Sequence, residues 1–333
     1  MSMQCPKFPR NLVRLYLYII GDQWTMGWTT VDIPSQSGRL TVVTGATGGL
    51  GYETALALAA AGAEVVLASR NASKGAHALA RIRATNPGAT ARFERLDLAS
   101  LASVAAFAET LLAAGQGINL LVNNAGVMAL PQRQVTVDGF ELQFATNYLG
   151  HFALTARLLP LLRRVPGARV VNVSSLAASL DLIDLTDLQS ERAYVPFRTY
   201  GMTKLAMLML ALEFQRRSEA AGWGIDGMAA HPGYARTDII SNGPASRGLR
   251  GVLWRITKPL LLPFSPPARL AALPILFAAT SPDARGGGFY GPTGWRELKG
   301  LPGLATIPDK ALDGSAAARL WETSERLAGV GFA

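Results

Sequence analysis

Of the 333 residues only one is a cysteine, Cys5. No disulfide can form within the chain, and a cysteine-rich metal site is excluded. Histidine is nearly as scarce. His77, His151 and His231 are scattered without metal-ligand spacing. This usage fits a reducing cytoplasm. Charged residues make up 17% of the chain, against about a quarter in ordinary domains. There is no run of five Lys or Arg and no nucleic-acid motif, so no nucleic-acid partner is expected. The net charge of +9 instead suits an Arg-biased surface, an anionic cofactor or a membrane surface. Long apolar runs are missing too. The stretch "NLVRLYLYII" at 11–20 is interrupted by Arg14 and is too short to span a bilayer. No A-x-A cleavage site follows it. A segment lying on a membrane surface is the further reading. "MGWTTVDIPSQSGR" reads as a natural start, so the expectation is that the native chain begins at Met26 rather than Met1. Residues 1–38 are then an N-terminal extension.

What the chain does have is apolar content, 49%, arranged in alternation. "LTVVT" (40–44), "EVVLAS" (64–69), "RFERLDL" (92–98), "NLLVNNAG" (119–126), "ARVVNVSS" (168–175), "GIDGMAAHPG" (224–233) and "GGFYG" (287–291) read as strands. Helical patterns fall between them, near 100–114, 138–164, 199–221 and 267–279. Buried parallel strands read as continuous Val/Ile/Leu runs. The alternation predicts an α/β fold: a doubly wound, mostly parallel seven-stranded Rossmann sheet with helices on both faces. One catalytic domain is expected over 39–300. The Pro/Gly-rich stretch 236–266, with its apolar "GVLWRITKPLLLPF", reads as a substrate lid or as a surface loop with a docked helix. Residues 301–333 read as a tail whose amphipathic helix places Leu320, Trp321 and Leu327 on one side.

Gly45, Gly49 and Gly51 follow the first strand and open a helix. A pyrophosphate needs close backbone approach and a helix N-terminus at such a turn. The spacing is G-x-x-x-G-x-G rather than G-x-G-x-x-G, and a tight turn without nucleotide is the plainer alternative. The second strand ends in Ser69 and Arg70, where an NAD site carries a carboxylate. An arginine pairs with a 2′-phosphate through charge-assisted bonds. The expected cofactor is therefore NADP(H) in preference to NAD(H), with Arg70 on the 2′-phosphate and Ser69 assisting. A surface arginine at a strand end is the alternative. Tyr200 and Lys204 are four residues apart, about one helical turn, and share a face.

In order along 39–295 come "TGATGGLG" (44–51), "LDL" (96–98), "NNAG" (123–126), "TNYLGHF" (146–152), "VVNVSS" (170–175), "YGMTK" (200–204) and "HPG" (231–233). With these the chain resembles the short-chain dehydrogenase/reductase family, and most closely its retinol-dehydrogenase-like branch and bacterial relatives. The resemblance implies a hydride transfer between nicotinamide and a carbonyl or alcohol, with Tyr200 as general acid/base. It makes Lys204 the group that lowers the Tyr200 pKa and holds the nicotinamide ribose. Ser175 would orient the substrate oxygen, with Ser174 as the alternative hydroxyl. Asn147 would hold a relay water. On the cofactor, Asp97 would contact the adenine ring and Asn123 would sit beside the adenosine ribose, with Leu98, Ala125 and Gly126 as further cofactor contacts. Thr47 and Leu50 would belong to the glycine turn, Pro232 and Gly233 to the nicotinamide pocket, and Thr237 would lie near the carboxamide. His151 and His231 read as structural. The stretch 176–198 is longer than in compact members, and a similar acidic "DL" insertion occurs in the retinol-dehydrogenase-like branch. The implied substrate is a small apolar aldehyde, ketone or alcohol. The chain also resembles protochlorophyllide reductases, which reduce a C=C bond using pocket cysteines; here the only cysteine is Cys5. A non-catalytic NADP(H) sensor on the same fold is the third reading. Family members pair through the helices near 138–164 and 199–221, which implies a homodimer or homotetramer. The competing view is that the C-terminal segment covers that surface.

Overall fold

Aliphatic and β-branched residues buried from both sides build the centre of the sheet. β1 (Leu40–Thr44) and β4 (Leu120–Asn123) are buried at every position. Around them lie β2 (Glu64–Ser69), β3 (Ala91–Arg95), β5 (Ala168–Val173), β6 (Ile225–Ala230), β7 (Phe289–Pro292) and β8 (Pro302–Leu304). The computed structural model describes residues 27–180, 182–234 and 266–332. The Met1 or Met26 question, Thr237 and 236–265 of the expected lid lie outside these residues. The strand order is β3-β2-β1-β4-β5-β6-β7-β8. The first seven strands run parallel, and β8 pairs antiparallel with β7.

Seven strands are expected from sequence and eight are present. The extra one, "PGL", is three residues long and has no apolar run to announce it. Its place is set by the chain reversal after β7, where Thr293 N–H donates to Leu301 O at 2.9 Å and Gly294 N–H to Lys299 O at 3.1 Å. The third strand is also shorter than expected. It stops at Arg95, so Leu96, Asp97 and Leu98 form a loop.

Alternate strand residues feed two cores. Val42, Val66, Leu121 and Val170 face one side, with Phe107, Phe152, Leu205 and Trp321. Val43, Val65, Leu67, Val122 and Val171 face the other, with Leu58, Ile82 and Ile275. The helices are α1 (Gly49–Ala60), α2 (Ala72–Thr85), α3 (Leu101–Ala114), α4 (Gly150–Leu162), α5 (Pro196–Ala221), α6 (Leu273–Thr280) and α7 (Gly314–Ala328). α5 starts with Pro196 in its first turn and stops at Gly222, whose φ of 64° suits glycine. From Thr199 to Ala211 every residue of α5 is buried.

The cover on this helix comes partly from the chain's own C-terminus. Trp321 of α7 meets Phe152 of α4 edge-on at 5.1 Å and Phe332 at 4.3 Å. Phe332 in turn lies 6.1 Å from Phe214 of α5 and stacks on Trp223 at 6.0 Å. Tyr148 and Ser324 share a buried hydrogen bond of 2.9 Å. The surface expected to pair with a second subunit is thus the surface on which α7 lies. Among the described residues, no helix is long and apolar enough to cross a membrane.

Candidate active site

The loops that leave the C-terminal ends of β1 to β6 line one cleft of about 1000 Å³. It lies at the β1–β4 boundary, where the winding of the sheet reverses and open α/β sheets place their ligands. At its inner floor is the glycine turn. Gly45 and Gly49 adopt φ of 67° and 53°, conformations that suit glycine. Gly51 has another reason to be glycine. A Cβ there would stand 2.5 Å from Gly45 O and would collide with the Asn124 amide. At Gly45 a Cβ would come within 2.9 Å of Ala125 Cα. The turn therefore packs backbone-to-backbone on the loop after β4.

Behind the turn, α1 begins without a side chain capping its first N–H groups. α2, α3 and α7 are capped by Asn71, Ser100 and Asp313. The bare N-terminus that lines the cleft presents free donors and the positive end of a helix dipole. Those are the groups a pyrophosphate requires. Thr47 and Leu50 line the same floor, and Thr47 Oγ1 is 3.5 Å from Ser69 Oγ at the end of β2.

Ser69 and Arg70 line the cleft as expected. So do Lys74, His77 and Arg81 of α2, which sequence reading did not single out. They recur at helical spacing and share one face of α2, but only the fold shows that this face turns to the cleft. Asp97 is the one carboxylate among the described lining residues, on a wall that carries Arg70, Lys74 and Arg81. Its Oδ1 accepts from Ala99 N–H at 3.0 Å, and Leu98 lines the wall beside it. A glycine-rich turn, an uncapped helix N-terminus and a cationic wall together fit a dinucleotide with its pyrophosphate at the turn.

Asn123 departs from expectation. It is fully buried, and its amide donates to Thr155 Oγ1 at 3.0 Å and Asn172 Oδ1 at 2.8 Å. It lies inside the sheet and does not line the cleft, because it is the last residue of β4. Asn124, Ala125 and Gly126 are the residues that do. Pro232 and Gly233 line the opposite side.

Tyr200 and Lys204 both line the cleft from α5, and both are nearly closed off from solvent. Ser175 lies beside Tyr200 on the cleft wall, and its hydroxyl accepts from Ala177 N–H at 3.2 Å. Ser174 is used otherwise: its hydroxyl donates to Lys204 O at 2.7 Å. Of the two serines, Ser175 is thus the one that meets the phenol. Burial pushes the Tyr200 pKa up to about 12, and the Ser175 side chain beside it works against that rise. Burial also pulls Lys204 down to about 8. The Lys204 ammonium lies 5.8 Å from the centre of the Tyr200 ring and donates to Val173 O at 2.9 Å. In this geometry desolvation is the largest influence on the phenol.

Asn147 sits in a π-helical segment, Ala145–Leu149, between a helical turn (Leu142–Phe144) and α4. Such segments cluster at functional sites. Its side chain is fully engaged. Oδ1 accepts from Val127 N–H at 2.7 Å, and Nδ2 donates to Val127 O at 2.9 Å and to Thr203 Oγ1 at 3.0 Å. Asn147 thereby ties the loop after β4 to α5 rather than lining the cleft itself. Its main-chain oxygen faces the ring of His151.

Burial favours the neutral form of both buried histidines. Burial pulls His151 down to about 3 and His231 below its ordinary value against the pull of Glu297. His231 Nε2 donates to Glu297 Oε2 at 3.0 Å while Nδ1 accepts from Gly233 N–H at 3.2 Å. That fixes the loop after β6. Tyr194 is held between Gln143 and Leu130 O, both at 2.9 Å, away from any lysine.

The outer part of the cleft is apolar. Met128, Leu176, Leu180, Phe197 and Leu298 line it. Leu180 and Phe197 are 64% and 48% exposed, and the Phe197 ring is 6.1 Å from that of Tyr200.

A protein-family model described as short chain dehydrogenase matches residues 39–247. A polyprenol dehydrogenase from Mus musculus is 39% identical over 306 residues, covering 90% of this chain and 86% of that protein. A retinol dehydrogenase 12 from Mus musculus is 41% identical over 231 residues, covering 69% of this chain and 70% of that protein. Among solved structures, an uncharacterized protein from Mycobacterium Paratuberculosis superposes with a TM-score of 0.75 at 38% identity, over 92% of this chain and 99% of that one.

Proposed function

The chain belongs to the short-chain dehydrogenase family, and from that premise we propose that it interconverts an apolar aldehyde or ketone with the corresponding alcohol, using NADP(H). The observation that carries the reading is that Tyr200, Lys204 and Ser175 share one cleft with the glycine-rich turn. A bound nicotinamide would give or take the hydride. The protein's part is to position the substrate oxygen and move its proton.

Ser175 orients that oxygen toward the phenol. Tyr200, neutral well above physiological pH, is ready to donate its proton as a carbonyl is reduced. In the reverse direction the phenolate takes the alcohol proton. A charged Lys204 makes the phenolate less costly, because an opposite charge nearby favours the ionised form. Asn147 holds the loop at Val127 and ties it to Thr203, the residue before Lys204.

Support for NADP(H) over NAD(H) comes from Arg70, with Lys74 and His77 on the same wall. The apolar outer cleft supports an apolar substrate, and the polyprenol and retinol named in the two relatives are in keeping with a long one. The exposed apolar rim and the net charge of +9 support contact with a membrane surface. Self-association would use a surface other than the one beneath α7.

The test is NADPH oxidation with aldehydes and ketones of increasing chain length. We expect turnover that rises in kcat/KM with apolar length. NADPH binding without consumption across the panel would overturn the reading in favour of a sensor.

A further inference from the structure

His151 occupies a position that packing alone does not account for. Its ring is fully buried between the π-helical segment and the end of β1. Nδ1 is 2.9 Å from the main-chain oxygen of Asn147. A carbonyl only accepts, so Nδ1 carries the proton. Nε2 is 2.9 Å from Thr44 Oγ1. That hydroxyl already accepts the N–H of Asn124 at 2.9 Å and of Ala125 at 3.0 Å. Both of its lone pairs are then filled, and what remains is its own proton. It goes to the bare Nε2 in preference to Val122 O, which is 3.3 Å away. The chain of bonds has one polarity: the Asn124 and Ala125 N–H groups donate to Thr44, Thr44 to His151, and His151 to Asn147 O.

Each end of this chain is tied to the site. Asn124 and Ala125 line the cleft against the glycine turn, and the Asn124 amide also donates to Thr44 O at 2.8 Å. At the other end the Asn147 side chain is already engaged by Val127 and Thr203. Its main-chain oxygen is the acceptor it has left to offer. A phenylalanine would fill the same space and could make neither bond.

We propose that His151 is a positioning residue: as an Nδ1–H imidazole it fixes the Asn147 carbonyl and, through Thr44, the Asn124–Ala125 turn, so that the proton-transfer and cofactor halves of the site hold one register. This rests on the hydride-transfer reading of the cleft. Burial, with the Lys204 charge adding to it, keeps the ring neutral and so able to accept from Thr44.

Two measurements test it. The first needs no turnover. Long-range proton–nitrogen NMR of the ¹⁵N-histidine-labelled protein, with only three histidines to assign, reads the tautomer directly. An Nδ1–H tautomer for His151 is expected, and an Nε2–H tautomer overturns the proposal. The second is kinetic. His151→Phe should lower kcat roughly tenfold or more and weaken NADPH binding, with the carbonyl KM little changed. Thr44→Val should produce losses of the same kind, Thr44→Ser should recover most of them, and the His151→Phe/Thr44→Val double variant should lose less than the product of the two. A fully active His151→Phe, or losses that simply track the unfolded fraction, overturns it. If His151→Phe does not fold, His151→Leu takes its place in the same cycle. If the wild type oxidises NADPH with no carbonyl, the functional reading fails, while the tautomer still reports on the bond chain.

Discussion

Tyr200 carries the sharpest predictions at the residue scale. Tyr200→Phe removes the proton donor and keeps the ring, so turnover should fall roughly a hundred- to ten-thousandfold. NADPH binding, measured by fluorescence, should remain largely intact. The pH dependence follows from two groups. Reduction needs the neutral phenol, present below about 12, and the charged Lys204, present below about 8. Carbonyl reduction should be level on the acid side of about 8 and decline above it. Alcohol oxidation needs the phenolate and should rise with pH until Lys204 loses its charge at about 8. Initial rates in both directions at saturating cofactor separate the two; a reduction rate that climbs through about 8 would contradict the assignment of Lys204. Arg70→Ala should weaken NADPH roughly ten- to a hundredfold through loss of charge-assisted bonds, and leave NADH nearly unaffected. An unchanged NADPH/NADH preference would remove Arg70 from the 2′-phosphate site.

At the scale of elements, the glycine turn and α1 behave as one part. Gly51→Ala puts a methyl group against Gly45 O and the Asn124 amide, and backbone has little room to yield. The turn would shift away from the loop after β4. We expect a loss of stability of about 1–3 kcal/mol and weaker cofactor binding, read by thermal melting with and without NADPH. Gly49→Ala meets nothing within 4 Å, and its cost is confined to the φ of 53°. It should therefore be the milder of the two. The turn was legible in the sequence because Gly45, Gly48, Gly49 and Gly51, running from a strand into a helix, have few other uses. The bare N-terminus of α1 was not, since it depends on Gly48 adopting an extended conformation and on the absence of any capping side chain.

For the molecule as a whole, α7 decides what surface is left over. It lies on α4 and α5, with Trp321 only 1% exposed. Trp321→Ala should cost about 3–5 kcal/mol and lower the melting temperature by about 10 °C. Removing 313–333 should uncover Phe152 and Phe214 and drive self-association, visible by light scattering. A truncated chain as stable and as dispersed as the full one would show that α7 is not the cover of this face. From sequence both arrangements were open, because "LAMLMLALEF" is apolar nearly all round whether the partner is a second subunit or the chain's own end.

The sequence by itself determined the alternation of strands and helices, the glycine turn, the arginine at the end of β2 and the Tyr200–Lys204 pair. All of these are local patterns, set by periodicity or by a residue type that few other positions would tolerate. The tertiary structure decided what depends on neighbours distant in the chain. Asn123 turned into the sheet because Thr155 and Asn172 accept its amide there. Ser175 rather than Ser174 met the phenol because Lys204 O engages Ser174. β8 became a strand because the chain reversal after β7 brings it back. Lys74, His77 and Arg81 joined the cofactor wall because α2 turns that face to the cleft. His151 gained a role because Thr44, 107 positions away, has one proton left to give.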